Sequence, residues 1–505
     1  MHIILRRDHP VPLYLQIKTA IRDKILSGEL PPYYRLPPDR RLAENLGVNR
    51  STVVNAYREL KAEGLVESHV GRGTTVCEME QDEDDSWRQS VMPLNWERYL
   101  RLGENERSRD INRFIRSVRR ERENIDFSTS YVPDFFENSR LHEYMRNRAF
   151  SEICREYYAH PCVEGLRSLR EAVVEYQKSR GIHANCDEII ITSGSQQAID
   201  MVAKTFIGPG DIVLVEDPTY VIARQSFAAQ GARILGIPSE EGGMRLDVLE
   251  GVLKRYAPKL IYTVPTFHNP TGSCMNRKSR RHLLDLAYRY QVPILEDDPF
   301  YDLRLEGDPV FPLKAMDHME YVMYASSLAK SVAPGLRIGW LCAPHAIMDR
   351  LIQAKKIADL ACSGVLQKML DLLLREGVYG ELLENVRGKL RRRRDLLVDC
   401  MQSICSDSLS FTKPQGGFDL WCSFSNEVHA TKLLYRVAEK GVLFTPGEYF
   451  TLENRALSCA RFSYAGPREE EILPGVKILK EALRRYAREC SLHLRREREE
   501  TRPIV

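Results

Sequence analysis

Between residues 187 and 327 five short apolar runs, DEIIITSGS, DIVLVEDPTY, KLIYTVPTF, VPILEDDP and YVMYASS, alternate with helical patterns such as QQAIDMVAKTF and SRRHLLDLAYRY. Alternation of this kind predicts a mostly parallel sheet with covering helices, and such sheets present ligands at the carboxyl ends of their strands. Each run ends in polar or small residues, where a site belongs. At 505 residues the chain is too long for one ordinary domain, so two or three are expected.

Residues 11–77 read as a self-contained unit. VPLYLQIKTAIRDKILSGEL carries Leu13, Leu15, Ile17, Ile21 and Ile25 at helical spacing, with Gly28 as a stop. Asp39 is placed to cap a short helix over 40–45 that ends at Gly47. A second helix is expected over 50–63, with Asn49 or Ser51 near its start and Gly64 after it. Two short helices around a glycine-containing turn are a helix-turn-helix, whose second helix fits the major groove. LVESHVGRGTTV then reads as two strands joined around Gly71, Arg72 and Gly73, the form of a basic wing. Residues 1–77 hold 12 Lys and Arg against 8 Asp and Glu, a local surplus of four; over the whole chain 73 against 70 leaves only +3. Local distribution, not net charge, therefore carries the argument for a nucleic-acid partner. The stretch LPPDRRLAENLGVNRSTVVNAYRELKAEGLVESHVGRGTTV resembles the GntR-type winged helix-turn-helix over nearly the whole unit. The resemblance implies a double-stranded DNA operator faced by Arg40, Arg50, Ser51, Thr52, Arg72 and Gly73. Arginine reads guanine edges or holds phosphate, and hydroxyls at a helix N-terminus hold phosphate.

From Glu78 the texture changes to EMEQDEDDSW, an acidic run without apolar periodicity that reads as a solvated linker. VMPLNWERYLRL and the arginine-rich NRFIRSVRRERE follow, the latter read as a solvated helix face in preference to a DNA contact. The chain has no run of eighteen apolar residues, and its start, MHIILRRDHPVPLY, lacks the pattern of a signal peptide. A cytoplasmic protein without a membrane partner is expected. Twelve cysteines show neither a CxxC pair nor a Cys/His ligand spacing, which argues for reduced structural thiols and against a metal site.

The last apolar run leads into YASSLAKSVAPGLRIGW, with Lys330 and, seven residues later, Arg337. An amine able to form a Schiff base, beside a guanidinium and hydroxyls able to hold phosphate, is what pyridoxal phosphate requires. Taken alone, the segment is equally readable as surface charge. ITSGSQQAID places Ser193, Gly194 and Ser195 between a strand and a helix whose free N–H groups favour an anion, so phosphate can sit on Ser195 and Gln196. FHNPTG offers Asn269 to a phenolate oxygen, DPTY offers the Tyr220 ring for stacking, and EDDPFY offers Asp297 or Asp298 to a pyridine nitrogen. SCARFSYAGP carries Arg461, a guanidinium available for a substrate carboxylate.

These segments, in this order, resemble the fold type I aminotransferase domain from about Ile125 to Tyr486. With the GntR-like unit in front, the whole chain is similar to the MocR/GabR family of transcriptional regulators. The resemblance implies a multidomain protein: a mainly α winged helix-turn-helix, then an α/β PLP-dependent transferase fold with a mostly parallel sheet and a smaller C-terminal α+β lobe. The expected boundaries are 1–77 for the reader, 78–124 for the linker, 125–490 for the cofactor domain and 491–505 for a charged tail. Carried over by residue, Lys330 forms the internal aldimine, Arg337 holds phosphate, Asp297 pairs with the ring nitrogen, Asn269 reaches the phenolate, Tyr220 stacks and Arg461 binds an α-carboxylate. The chain departs from the pattern at three places. Ala329 stands where a hydroxyl residue is common, leaving Ser327 as the nearer match. Phe300 stands three residues after Asp297 where a tyrosine is usual, a pairing restored by the register Asp298 with Tyr301. His160 stands where a tyrosine reaches the partner subunit's phosphate, with Tyr157 or Tyr158 as substitutes.

The resemblance implies a homodimeric, DNA-binding regulator that senses pyridoxal phosphate or an amino compound through aldimine exchange at Lys330. The alternative is an active aminotransferase acting on an α-amino acid, with Lys330 also as proton shuttle. A third reading, a DNA-binding scaffold with a dead cofactor site, ranks below both.

Overall fold

The computed structural model describes residues 11–69, 73–78, 106–121, 123–132, 143–144, 162–240, 242–332, 334–425, 428–452 and 456–500, with Ile3 and Leu5. The chain divides into two compact units, Met1–Tyr99 and Leu100–Val505. In the first, helices Leu13–Leu26, Asp39–Leu46 and Arg50–Ala62 precede an antiparallel pair, Val66–His69 with Gly73–Val76. Ile17, Ile21 and Ile25 recur at four-residue spacing on one face, and they are buried with Leu42, Val53, Ala56, Leu60 and Val76 in one core. Gly47 ends the second helix in the left-handed region (φ 61°), where its N–H returns to the carbonyls of Ala43 and Glu44. Asp39 is the first helical residue, not the cap, which is Pro38. Proline's fixed φ suits a helix start, and the Asp39 carboxylate instead accepts from the Arg50 Nε at 3.0 Å across the turn.

The second unit is built on an eight-stranded sheet in the order Ile189–Thr192, Gly339–Cys342, Val322–Ser327, Ile294–Asp297, Leu260–Thr263, Ile212–Asp217, Arg233–Glu240 and Gly243–Met244. The five strands from Val322–Ser327 to Arg233–Glu240 run parallel, as the alternating pattern predicts. Gly339–Cys342 is antiparallel to both neighbours. Strands Leu260–Thr263, Ile294–Asp297 and Val322–Ser327 are buried along their whole length, which is why they read as largely apolar runs. A four-stranded antiparallel sheet, Leu409–Phe411, Asp419–Phe424, Cys459–Ser463 and Thr445–Pro446, forms the smaller lobe with helices Val378–Cys405, Ala430–Ala438 and Glu469–Glu500.

Two expectations change here. Part of the stretch read as linker is helix Glu106–Glu121, whose Ile111, Ile115 and Val118 are buried in the core of the second unit. These residues, at spacings of four and three, form one apolar face, and Phe114 adds an edge contact with the Tyr435 ring at 4.6 Å. Its arginines are not all solvated either: Arg119 binds Asp126 at 2.7 Å and the hydroxyls of Ser128 and Thr129 at 2.9 Å. The boundary expected at 490 falls inside helix Glu469–Glu500, anchored by Ile472, Val476, Leu479, Leu483 and Tyr486. No described helix is long and apolar enough to cross a membrane.

Candidate functional site

Strand pairing brings the chemistry together. Gly339 lies beside both Ser327 and Thr192, and Ala325 lies beside Asp297, so the turns that leave these strands share one end of the sheet. Lys330 occupies the turn after Ser327. Its Nζ donates to the Ser130 carbonyl at 3.0 Å and stands 5.9 Å from the centres of the Phe300 and Phe418 rings. Burial pushes the Lys330 ammonium down to about 8; Asp419 and Asp297 oppose that shift, and Arg461 and Arg337 reinforce it. A neutral amine is the nucleophilic form. The rate at which the apoprotein captures a small aldehyde should therefore rise with pH through about 8 and level off above it. Stopped-flow absorbance across pH 6–10 checks this, and a midpoint near that of ordinary lysine, about 10.4, would contradict it.

The turn into helix Ser195–Phe206 and Arg337 lie at the same end of the sheet, Arg337 close enough to act on Lys330. Helix Ser195–Phe206 begins after Gly194, whose φ of 81° suits glycine. A Cβ on Gly194 would come within 2.9 Å of the Arg337 guanidinium, which lies against this turn and donates to the Ser193 carbonyl at 3.1 Å. The start of the helix and the guanidinium thus lie side by side, an arrangement whose N–H groups and charge suit an anion. Gln196 is tied to the Ser226 hydroxyl at 2.9 Å, while its Oε1 is buried without a partner. Ser327, expected at the phosphate, is spent on the turn itself. Its hydroxyl donates to the Ile338 carbonyl at 2.9 Å and accepts from the Ala329 N–H at 3.1 Å.

The two adjacent acids, the last residue of strand Ile294–Asp297 and the one after it, have different partners. Asp297 accepts from the Tyr262 hydroxyl at 2.9 Å, and its Oδ1 is buried without a partner. Burial raises Asp297 to about 7; the Tyr262 bond, Ser195 and Lys330 favour its ionised form. Asp298 turns the other way, accepting from the Tyr324 hydroxyl at 3.0 Å in the field of Arg180 and Arg280. Tyr301 goes with it, stacked 4.7 Å from the Arg180 guanidinium. The register Asp298 with Tyr301 is thereby placed away from Lys330, and Phe300 takes the position facing the lysine. Tyr220 is half-buried among Asp297, Tyr449, Arg337 and Arg461, and burial raises its hydroxyl.

Arg461 is buried. It donates to Asn269 Oδ1 at 3.0 Å, to the Ser128 carbonyl at 3.0 Å and to the Thr445 hydroxyl at 3.4 Å. With its oxygen so engaged, Asn269 has its amide N–H groups left to donate. Sequence reasoning missed Asp419, buried with its Oδ1 3.7 Å from the Arg461 Nε, and it missed the carbonyls of Ser128 and Ser130. Asp419 had left a signal, an acid opening the otherwise apolar run FDLWCSF after two glycines. Backbone carbonyls leave none.

In the first unit Arg40, Arg50 and Ser51 are exposed and Thr52 is half-buried; Arg50, Ser51 and Thr52 form the first turn of helix Arg50–Ala62. Gly73 is exposed with φ 88°, close against the Arg35 side chain. Arg72 lies outside the described residues, as do Tyr157, Tyr158 and His160.

Comparison with known proteins agrees with this division. Residues 13–76 match the bacterial regulatory proteins, gntR family, and residues 125–479 match aminotransferase class I and II. The HTH-type transcriptional regulator YisV of Bacillus subtilis (strain 168) is 34% identical over 95% of this chain and 97% of its own length. The probable rhizopine catabolism regulatory protein MocR of Rhizobium meliloti is 29% identical over 95% of each. Among solved structures, Pyrococcus horikoshii kynurenine aminotransferase with PMP is 30% identical at a TM-score of 0.69, covering 80% of this chain and 98% of that one. LysN, the α-aminoadipate aminotransferase of Thermus thermophilus complexed with N-(5'-phosphopyridoxyl)-L-leucine, gives the same identity and score over 77% and 98%. The fold implies pyridoxal phosphate, and the residues present fit it: the unpartnered buried Asp297 oxygen, the glycine turn against Arg337 and the buried lysine are complementary to its charges. The chain belongs to the MocR-type HTH transcriptional regulators, which join a gntR-family reader to an aminotransferase class I and II domain.

Proposed function

We propose that this chain is a DNA-binding regulator whose second unit, loaded with pyridoxal phosphate at Lys330, detects a primary amine by exchange at that lysine. The observation that carries the reading is Lys330, buried among two acids and two guanidiniums with its ammonium lowered to about 8, in a chain that also holds a winged helix-turn-helix. When bound, the cofactor supplies a carbon that links reversibly to primary amines and a ring that accepts electrons. The residues of this chain do the rest. Arg337 and the start of helix Ser195–Phe206 would hold the phosphate, Asp297 would keep a proton on the ring nitrogen, Asn269 would donate toward the phenolate and Tyr220 would cover a ring face. Lys330 would hold the cofactor through its buried amine and would be left as a free amine once a ligand amine took its place. Arg461 receives the polar group at the ligand's other end. Arg40, Arg50, Ser51 and Thr52, with the wing, contact duplex DNA.

A ligand shifts DNA binding only if it favours one of two conformations, and a homodimer that pairs two readers gives such a shift a readout. The test takes full-length protein loaded with pyridoxal phosphate and an operator selected from a random duplex pool. Amines and amino acids are titrated while cofactor absorbance, keto acid and operator affinity are followed together. The expected result is an absorbance change with a subset of amines, without repeated keto-acid production, and a change in operator affinity of about tenfold, the size of an ordinary coupling. Sustained keto-acid turnover with operator affinity unmoved by any amine would replace this reading with that of an aminotransferase.

A further inference from the structure

Helix Arg50–Ala62 of the first unit carries one apolar residue that its own fold does not use. Val53, Ala56, Tyr57 and Leu60 of this helix are buried in the reader's core, and the positions exposed on its outer side are Arg50, Ser51, Val54, Arg58, Lys61 and Ala62. Val54 is 41% exposed. Arg50 and Arg58 stand four residues before and four after it, so the valine lies in line between two guanidiniums, about one turn from each. A β-branched residue is a weak helix former at an exposed position, and its methyls gain nothing from facing water. The position therefore costs the helix a little and gives the folded reader no burial in return.

The surroundings of the valine are held in place. The Tyr57 hydroxyl donates to the Pro37 carbonyl at 2.8 Å, and the Asp39 carboxylate accepts from the Arg50 Nε at 3.0 Å, so the helix and its first cation are fixed from the opposite side of the turn. Arg50, Arg58 and Lys61 give this face a charge complementary to a polyanion, and the major groove admits a helix. Most base-edge groups in that groove are hydrogen-bond donors or acceptors, which a valine would cover without satisfying. The exception is the C5-methyl of thymine. Resting on the reading of residues 1–77 as a DNA reader, we infer that Val54 is a specificity-determining residue: its methyls pack on the C5-methyl of an operator thymine, while Arg50 and Arg58 engage the DNA on either side.

The test uses the full-length protein and an operator selected from a random duplex pool. Each thymine of that operator is replaced in turn by deoxyuridine, which removes the methyl and keeps the base pairing, and affinity is read by fluorescence anisotropy. At one thymine or more, loss of the methyl should weaken binding about fourfold, the effect of exposing one buried methyl. Val54→Ala, a better helix former at an exposed position, should weaken binding to the parent operator by at least as much. Its dependence on salt concentration should not change, because no phosphate contact is lost. The two losses should not add: Val54→Ala should bind the parent and the deoxyuridine operator alike. An operator without thymine, a deoxyuridine scan without effect, or a deoxyuridine loss that Val54→Ala leaves in place would overturn the inference while leaving the DNA reader intact. A protein that binds every duplex of the pool alike, so that no operator is selected, would overturn both.

Discussion

A protein carrying Lys330→Ala is expected to lose its response to amines altogether and to retain pyridoxal phosphate about 100-fold less tightly, or about 3 kcal/mol. Two effects combine. The substitution removes the nitrogen that links to the cofactor, and it withdraws the cation that favours the ionised forms of Asp297 and Asp419. Both carboxyls, already raised by burial, should then rise further. Lys330→Arg separates the two effects, keeping a positive charge without an exchangeable amine. It should restore part of the retention and none of the amine response. Equilibrium dialysis and absorbance scans measure retention, and fluorescence anisotropy on operator duplex measures the response. Operator affinity in the absence of amine should match that of the unsubstituted protein, since the reader folds around its own core of Ile17, Ile21, Val53 and Leu60. An amine response surviving in Lys330→Ala would refute the exchange mechanism.

The parts that meet at this end of the sheet were legible because each is local. Lys330, Arg337, the Ser193 to Gln196 turn and Asp297 each sit at the end of an apolar run, so strand reading and motif reading converged on one end of the sheet. Where legibility failed, the cause was geometry across strands or burial. Asp297 and Asp298 have different surroundings, with the Tyr262 bond on one and the Tyr324 bond on the other, a difference that adjacent letters do not carry. Ser327 looked like a phosphate ligand because a hydroxyl near the lysine is a matter of spacing. That it closes the turn on Ile338 and Ala329 is a matter of backbone path. Helix Glu106–Glu121 was hidden by its charge, because Ile111, Ile115, Val118 and Phe114 are its few apolar docking positions and Ser108, Asn112 and Arg119 dock through polar contacts. The same holds for residues 125–132, whose carbonyls reach Lys330 and Arg461 and which Arg119 fastens from that helix. No side-chain pattern announces a carbonyl.

The other large effect belongs to Arg180, which no motif marked. It is fully buried and donates to the Tyr324 hydroxyl at 2.6 Å, the Ser326 hydroxyl at 3.2 Å, the Tyr176 hydroxyl at 2.6 Å and the Asp302 carboxylate at 2.8 Å. The rings of Tyr176 and Tyr301 lie 4.7 Å from its guanidinium. Asp302 also accepts from the hydroxyls of Tyr176 and Tyr379, and Tyr379 shares a hydrogen bond of 2.9 Å with Ser331, the residue after Lys330. Arg180→Leu should therefore destabilise the second unit by about 3–5 kcal/mol, the usual cost of stranding one partner of a buried ion pair. Most of that cost is the carboxylate left behind, so Arg180→Leu combined with Asp302→Leu should recover a large part of it. Urea denaturation of the full chain, followed by far-ultraviolet circular dichroism, reads both variants. If the double variant is as unstable as the sum of the single ones, the network acts by packing and not by charge. Its connection through Tyr379 to Ser331 adds a second expectation. Among molecules still folded in the single variant, the turn holding Lys330 loses a support, and the pH midpoint of aldehyde capture should move up from about 8 toward that of ordinary lysine as water enters.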